Sequence, residues 1–199
     1  GIEVYLQFDS LRRDALMQIR GADVTRIRRQ ALENLERHGV STTLVSVVKR
    51  GANEDECGAI VRHALERGCV RGVTFQPVQD AGRNEGFDAN ANRVLITQIR
   101  REVAKAGVFA LEDMIPLPCN PESICVGYGV RRGAHVAAIT GLLPRELLVA
   151  EAPNAVTFER YPEFRQRLFD FFSLTTVEGA VASRLESLFC CFPDLEAPG

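Results

Sequence analysis

Three strand-like runs in the first half of the chain, "EVYLQF" at 3–8, "STTLVSVV" at 41–48 and "VRGVTFQPV" at 70–78, are each followed by a segment of helical period. After the first run, Asp9 and Ser10 supply turn chemistry, and "LRRDALMQIRGAD" reads as a link. Asp23 then caps a helix whose apolar positions Val24, Ile27, Ala31 and Leu35 fall on one face, and Gly39 ends it. Asn53, with Glu56 three residues on, has the spacing of a capping box; its helix carries Ile60, Ala64 and Leu65 and stops at Gly68. Asn90 or Asn92 opens a third helix through Val94, Ile99 and Val103 to Gly107. Strands alternating with amphipathic helices require parallel pairing with right-handed crossovers, so this half is α/β.

Ligands in such sheets gather beyond the C-terminal ends of the strands, where helix N-termini point and loops vary freely. The loops concerned are "DSLRR", "KRGANEDE" and "QDAGRNEG". From "VFALEDMIPLP" onward the pattern changes, with Pro116, Pro118 and Pro121 breaking the alternation. A strand at "HVAAITGLL", a short helix from Pro144, a strand at "NAVTFER" and helices in "YPEFRQRLFDFFS" and "VEGAVASRLESLFCC" follow. The expected organisation is a first region at 1–112 and a smaller mixed α+β region at 113–199. A strand starting so near the first residue carries the expectation that the natural protein begins earlier.

Of the 199 residues, 46% are hydrophobic and 25% charged, and the formal net charge is -2, which describes an ordinary globular chain. No basic tract marks a nucleic-acid arm, and no apolar run approaches the ~20 residues of a bilayer span. Localisation is expected to be cytoplasmic, where the six cysteines serve as buried, metal-bound or catalytic groups rather than disulfides. Cys57 and Cys69 lie on or beside a core-facing helix and read as packing residues. The lone histidines His38, His63 and His135 read as surface or satisfied core residues. There is no Gly-rich phosphate loop and no Gly-x-Ser-x-Gly elbow. The aromatic run "RLFDFFS" has helical spacing and reads as core.

Taken together, "YLQFDS" with "IRG" after it, "LVSVVKRGANEDE" and "VRGVTFQPVQDAGR" resemble the last three strand and helix units of a radical S-adenosylmethionine (radical SAM) barrel. The resemblance is nearest to the branch with the molybdenum-cofactor-biosynthesis enzymes and the tetraether lipid synthase-like proteins. It continues in "PLPCNPESI" and "LFCCFPDLEAP". It implies a partial (β/α) TIM-like barrel followed by a C-terminal region, cut from a parent enzyme that uses S-adenosylmethionine and a 4Fe-4S cluster. Such a parent generates a 5'-deoxyadenosyl radical for C-H activation. The family's cluster loop is Cys-x3-Cys-x2-Cys, and that spacing is absent here, which implies that this chain alone cannot start the reaction.

By the same resemblance, inward residues of these strands touch the cofactor. Tyr5, Gln7 and Asp9 share one face on the period-two rule, with Gln7 and Asp9 at the C-terminal end. Ser46 stands where family members often carry Asn, and Thr74 and Gln76 match positions that reach the ribose and adenine. Each has a plainer alternative: Gln7 and Gln76 in a buried polar network, Asp9 as a turn cap, and Arg83 as a solvated loop residue rather than a bidentate grip on carboxylate or phosphate. Asn53 and Glu56 are assigned to helix capping. Cys119, Cys190 and Cys191, with Cys125 as a fourth, are either ligands of an auxiliary Fe-S cluster or small buried hydrophobes. The substrate is a small molecule or a lipid. Two rivals need no iron: a small-molecule-binding module that forms a homodimer to cover its edge strands, and a scaffold protein.

Overall fold

A computed structural model describes residues 2–80, 86–118, 120–132, 135–141, 145 and 148. The chain divides into two compact units, Gly1–Leu111 and Glu112–Gly199. In the first unit, β1 (Glu3–Gln7), β2 (Ser41–Val48) and β3 (Val70–Pro77) form one parallel sheet in the order β1-β2-β3. The register sets Gln7 opposite Val45, and Val45 opposite Thr74; it shifts once, between Thr42 and Thr43. The α/β expectation for this half is thus met by a parallel sheet with several helices.

Neighbouring strands taken in sequence order, joined by right-handed crossovers, place successive helices on the same side of a sheet. The packing follows that rule. Phe8, Leu44 and Val70 from the strands and their ends meet Leu32 of α2 (Thr25–Arg37) and Ile60 and Ala64 of α3 (Cys57–Leu65), with Leu6, Leu35, Val73 and Phe75 against them. On the opposite face, Tyr5, Gln7, Thr74 and Gln76 are exposed, while Thr43 and Val45 of the central strand are buried.

The segment read as a link contains a helix, α1 (Arg13–Arg20), which buries Ala15 and Leu16. Gly21 closes it in the left-handed conformation (φ 72°), its N–H donating to the Met17 carbonyl. Such a terminus suits glycine, which carries no Cβ to clash there. In α2 the buried side chains are Arg28 and Leu32, and Ile27 is 70% exposed. Ile27 therefore does not share the inward side with Val24, Ala31 and Leu35 as its spacing predicts, because Arg28 takes that position and lays its guanidinium over the Phe8 ring, 4.6 Å from the centroid. Asp23 does serve the helix start, accepting from Thr25 N at 3.1 Å. The third helical segment is split into a turn, α4 (Ala89–Asn92), capped by Asp88, and α5 (Ile96–Ala104). α3 and α5 touch closely at Gly58, where an added Cβ would meet the Glu102 carbonyl oxygen at 2.6 Å.

The second unit holds two short antiparallel pairs, β4 (Met114–Pro116) with β5 (Cys125–Gly127), and β6 (Gly129–Arg132) with β7 (His135–Ala138). Leu117 N donates to the Ile124 carbonyl at 3.0 Å and closes the turn between the first pair. Thr140 donates its hydroxyl proton to Asp113. β7 lies within the strand expected at "HVAAITGLL", which ends sooner, in a 3-10 turn at Ile139–Gly141. The elements expected in "NAVTFER", "YPEFRQRLFDFFS" and "VEGAVASRLESLFCC" lie outside the described residues.

Two predictions follow from this packing. Gly58→Ala is expected to destabilise the protein by about 1–3 kcal/mol, since the close neighbours include backbone that must shift, and denaturant unfolding checks it. Burial, with help from the nearby Arg67 and Arg28 charges, pushes His63 below its ordinary value of 6.5. Its ring stacks on Phe8 at 5.3 Å. The neutral form is favoured by folding, so this stability is full above pH 6.5 and is lost as pH falls through the lowered native value. The difference in unfolding free energy between wild type and His63→Phe is expected to change across that window and to be flat above it.

Candidate functional site

The C-terminal ends of β1 and β2 are held by a polar network built on residues 9 and 10. Asp9 is the non-glycine residue with positive φ (61°) among the described residues, a conformation that Asp tolerates better than most side chains. The left-handed turn directs its side chain inward, where it is 1% exposed. Arg20 Nε and Nη2 reach Oδ2 and Oδ1 at 2.6 and 2.9 Å as a bidentate fork. Val47 N–H donates to Oδ1 at 3.1 Å, and Gln7 Nε2 at 2.8 Å. The hydrogen bond to Asp9 is the main cause holding the Arg20 guanidinium above its ordinary value. Asp9 is therefore shared between α1, β1 and β2, and both its oxygens are engaged by protein donors.

Asn53 joins the same node. Its Nδ2 donates to the carbonyls of Asp9 and Val47 at 2.8 and 2.7 Å, and its Oδ1 accepts from Lys49 N at 2.9 Å. Glu56 takes the Ser10 hydroxyl proton on Oε2 and Leu11 N–H on Oε1 at 3.1 Å. The helix-capping roles expected of these two residues are corrected accordingly: no side-chain cap forms at Asn53, and both side chains stitch the loop after β2 to the loop after β1. Arg12 pairs with Asp55 at 2.7 and 2.9 Å on the surface; that bond raises Arg12 and lowers Asp55 from their ordinary values. Arg28 donates to the Ser10 carbonyl at 2.8 Å, and desolvation pushes its guanidinium down.

Beside this node, the exposed sheet face presents Tyr5, Gln7, Thr74 and Gln76, with Val45 and Val47 between them. These side chains are neutral, able to hydrogen-bond hydroxyls, amides or ring nitrogens and to offer apolar contact; the charge on the same face is the Glu3 carboxylate at the other end of β1, which accepts from the Thr43 hydroxyl at 2.8 Å. Gln7, Thr74 and Gln76 thus stand together on one face. Ser46 does not: in register with Phe75, it points to the helix side, fully buried, and its Oγ has no hydrogen-bond partner among the described residues. Asp9 meets the face through Gln7. Arg83, Cys119, Cys190 and Cys191 lie outside the described residues.

Among the described residues no group of three His, Cys, Asp or Glu side chains is placed to hold a metal ion. Cys57 is completely buried on α3, and desolvation pushes its thiol up to about 12, so it stays protonated and packs as a small apolar group. Burial likewise raises Cys69. Cys125 is half-buried on β5.

No family model matches the chain. It is 34% identical over 119 residues to a 7,8-dihydro-6-hydroxymethylpterin dimethyltransferase of Methanocaldococcus jannaschii, a stretch that covers 58% of this chain and 24% of that protein. The chain thus spans about a quarter of the length of the curated relative it matches. This similarity supports the radical SAM relationship and selects no branch of it.

The bridging role of Asn53 yields a direct expectation. Asn53→Ala strands a buried N–H and two carbonyls and should cost about 2–4 kcal/mol of stability. Asp55→Ala, at an exposed pair, should cost less than about 1 kcal/mol. Equal losses in denaturant unfolding would contradict the assignment of the buried node as the structural one.

Proposed function

We propose that this chain is the C-terminal part of a radical SAM enzyme and that the exposed face of its sheet is one wall of that enzyme's cofactor and substrate chamber. One observation carries the reading: three parallel strands in sequence order keep a core on one face and expose Tyr5, Gln7, Thr74 and Gln76 on the other, with Glu3 at the N-terminal end of β1. Parallel sheets are ordinarily covered on both faces, and a singly wound sheet is how a (β/α) barrel encloses its interior. The similarity to the dimethyltransferase supports the same class.

Gln7, Thr74 and Gln76 would hold the neutral adenosyl part of S-adenosylmethionine by hydrogen bonds, while Val45 and Val47 supply apolar contact. When bound, S-adenosylmethionine and a reduced 4Fe-4S cluster supply a 5'-deoxyadenosyl radical that removes hydrogen from an unactivated C-H bond. This chain's residues position that ligand and exclude water from it. The thiols of Cys57 and Cys69 are unsuited to the catalytic cluster, which belongs to a Cys-x3-Cys-x2-Cys loop in the remainder of the parent. In this reading the segment is inactive alone. Cys119, Cys190 and Cys191 would ligate an auxiliary cluster, Arg83 would meet a carboxylate or phosphate, and the substrate is a small molecule or a lipid.

The test is anaerobic iron and sulfide reconstitution of the full-length gene product, followed by assay of 5'-deoxyadenosine formed from S-adenosylmethionine under reducing conditions. Formation of 5'-deoxyadenosine is expected, with a loss of about tenfold or more for a Thr74→Val, Gln76→Leu double variant, the size of two lost hydrogen bonds. No 5'-deoxyadenosine from a protein carrying its iron would overturn the reading. Equal iron uptake by the 199-residue chain and its Cys119, Cys190 and Cys191 to Ser variant would remove the auxiliary cluster.

A further inference from the structure

Gln7 is held in a way that fixes what it can recognise. Its Nε2 donates to Asp9 Oδ1 at 2.8 Å and to the Val45 carbonyl at 3.3 Å. Both of those partners are acceptors only, so the carboxamide must turn its NH2 toward them. Oε1 is then left without a protein donor among the described residues, on a side chain that is exposed on the open sheet face. Asp9 cannot swing away to relax this arrangement, because Arg20 grips it from α1 and Val47 N–H donates to it from β2.

We propose that Asp9 is a positioning residue that pins the Gln7 carboxamide with its oxygen outward, so that the wall at this point selects a ligand group that donates a hydrogen bond. A hydroxyl, an amine or an amide N–H satisfies Oε1; a carbonyl, ether or carboxylate oxygen meets a second acceptor and is disfavoured. An unpinned glutamine would flip its amide and accept either class. The backbone supports this assignment, since the left-handed Asp9 is what brings its carboxylate back under Gln7. This inference rests on the reading that the exposed face is a ligand wall.

The experiment has two arms, the first on the 15N-labelled 199-residue chain, with the Gln7 side-chain resonances assigned by their loss in Gln7→Met. In the ligand-free arm, the Gln7 amide protons are expected to exchange with water about tenfold more slowly than those of the exposed Gln18. Asp9→Gly, which suits the left-handed backbone and removes the carboxylate, or Asp9→Ala in place of an Asp9→Gly that does not fold, should restore fast exchange. Rates equal to Gln18 in the wild type, or unchanged in the folded variant, overturn the pinning. In the ligand arm, S-adenosylmethionine is titrated by calorimetry into the anaerobically reconstituted full-length gene product, and Gln7→Met is expected to weaken binding about threefold to tenfold. Binding by both proteins with equal affinity overturns the donor selection and leaves the ligand wall standing. If the iron-loaded full-length wild type takes up no S-adenosylmethionine, the ligand-wall reading falls, and the donor selection with it, while the exchange rates still decide the pinning.

Discussion

Everything in the first unit depends on the handedness of the crossover between neighbouring parallel strands. Because β1, β2 and β3 pair in sequence order, each right-handed connection returns on the same side, and the apolar residues of α2 and α3 converge on one face. The opposite face is relieved of core duty and carries Tyr5, Gln7, Thr74 and Gln76 in the open. A sheet whose strand order reversed would have buried both faces, and the ligand positions would then fall in a crevice between loops. The asymmetry of this sheet and its candidate function are the same fact viewed from two sides.

The strand ends need a second device, since a loop that presents ligand groups must itself be held. Asp9 and Asn53 provide it by satisfying backbone groups of β2 and of the loop after β1 with side chains from the loops that follow the two strands. The charges in this region are sorted by exposure. The Arg12–Asp55 pair lies at the surface, whereas the Arg20–Asp9 fork ends on a buried carboxylate. Removing one partner of the buried fork leaves a charge without compensation, so this is where the fold resists change.

The sequence made the alternation of strand and helix legible because period-two and period-3.6 patterns differ over a few residues. Period two also sets Gln7 beside Tyr5 on one side of β1, whereas the grouping of Gln7 with Thr74 and Gln76 is implied by the radical SAM resemblance and appears as a common face in the strand register. β2 was illegible in this respect. "STTLVSVV" is apolar or small at both parities, so nothing in it says whether Ser46 or Val45 faces the open side, and only the register with Gln7 and Thr74 decides for Val45. The α1 helix is faint in the sequence because it buries only Ala15 and Leu16, and Arg20 with it, as its partner Asp9 lies two turns and a loop away. Capping grammar at Asn53 and Glu56 is a local motif, whereas their side chains bond to the loop after β1, brought near by the parallel pairing of β1 with β2. The radical SAM resemblance has support from the dimethyltransferase match, while its finer branch rests on motifs that lie partly outside the described residues.

The most direct test of the central claim is to read the coding sequence of the gene upstream of the codon for Gly1. A Cys-x3-Cys-x2-Cys loop following a predicted strand, with further strand and helix units between it and Glu3, is the result this account predicts. An upstream sequence without that triad would contradict it, because no radical SAM parent could then hold the cluster that this wall is proposed to face.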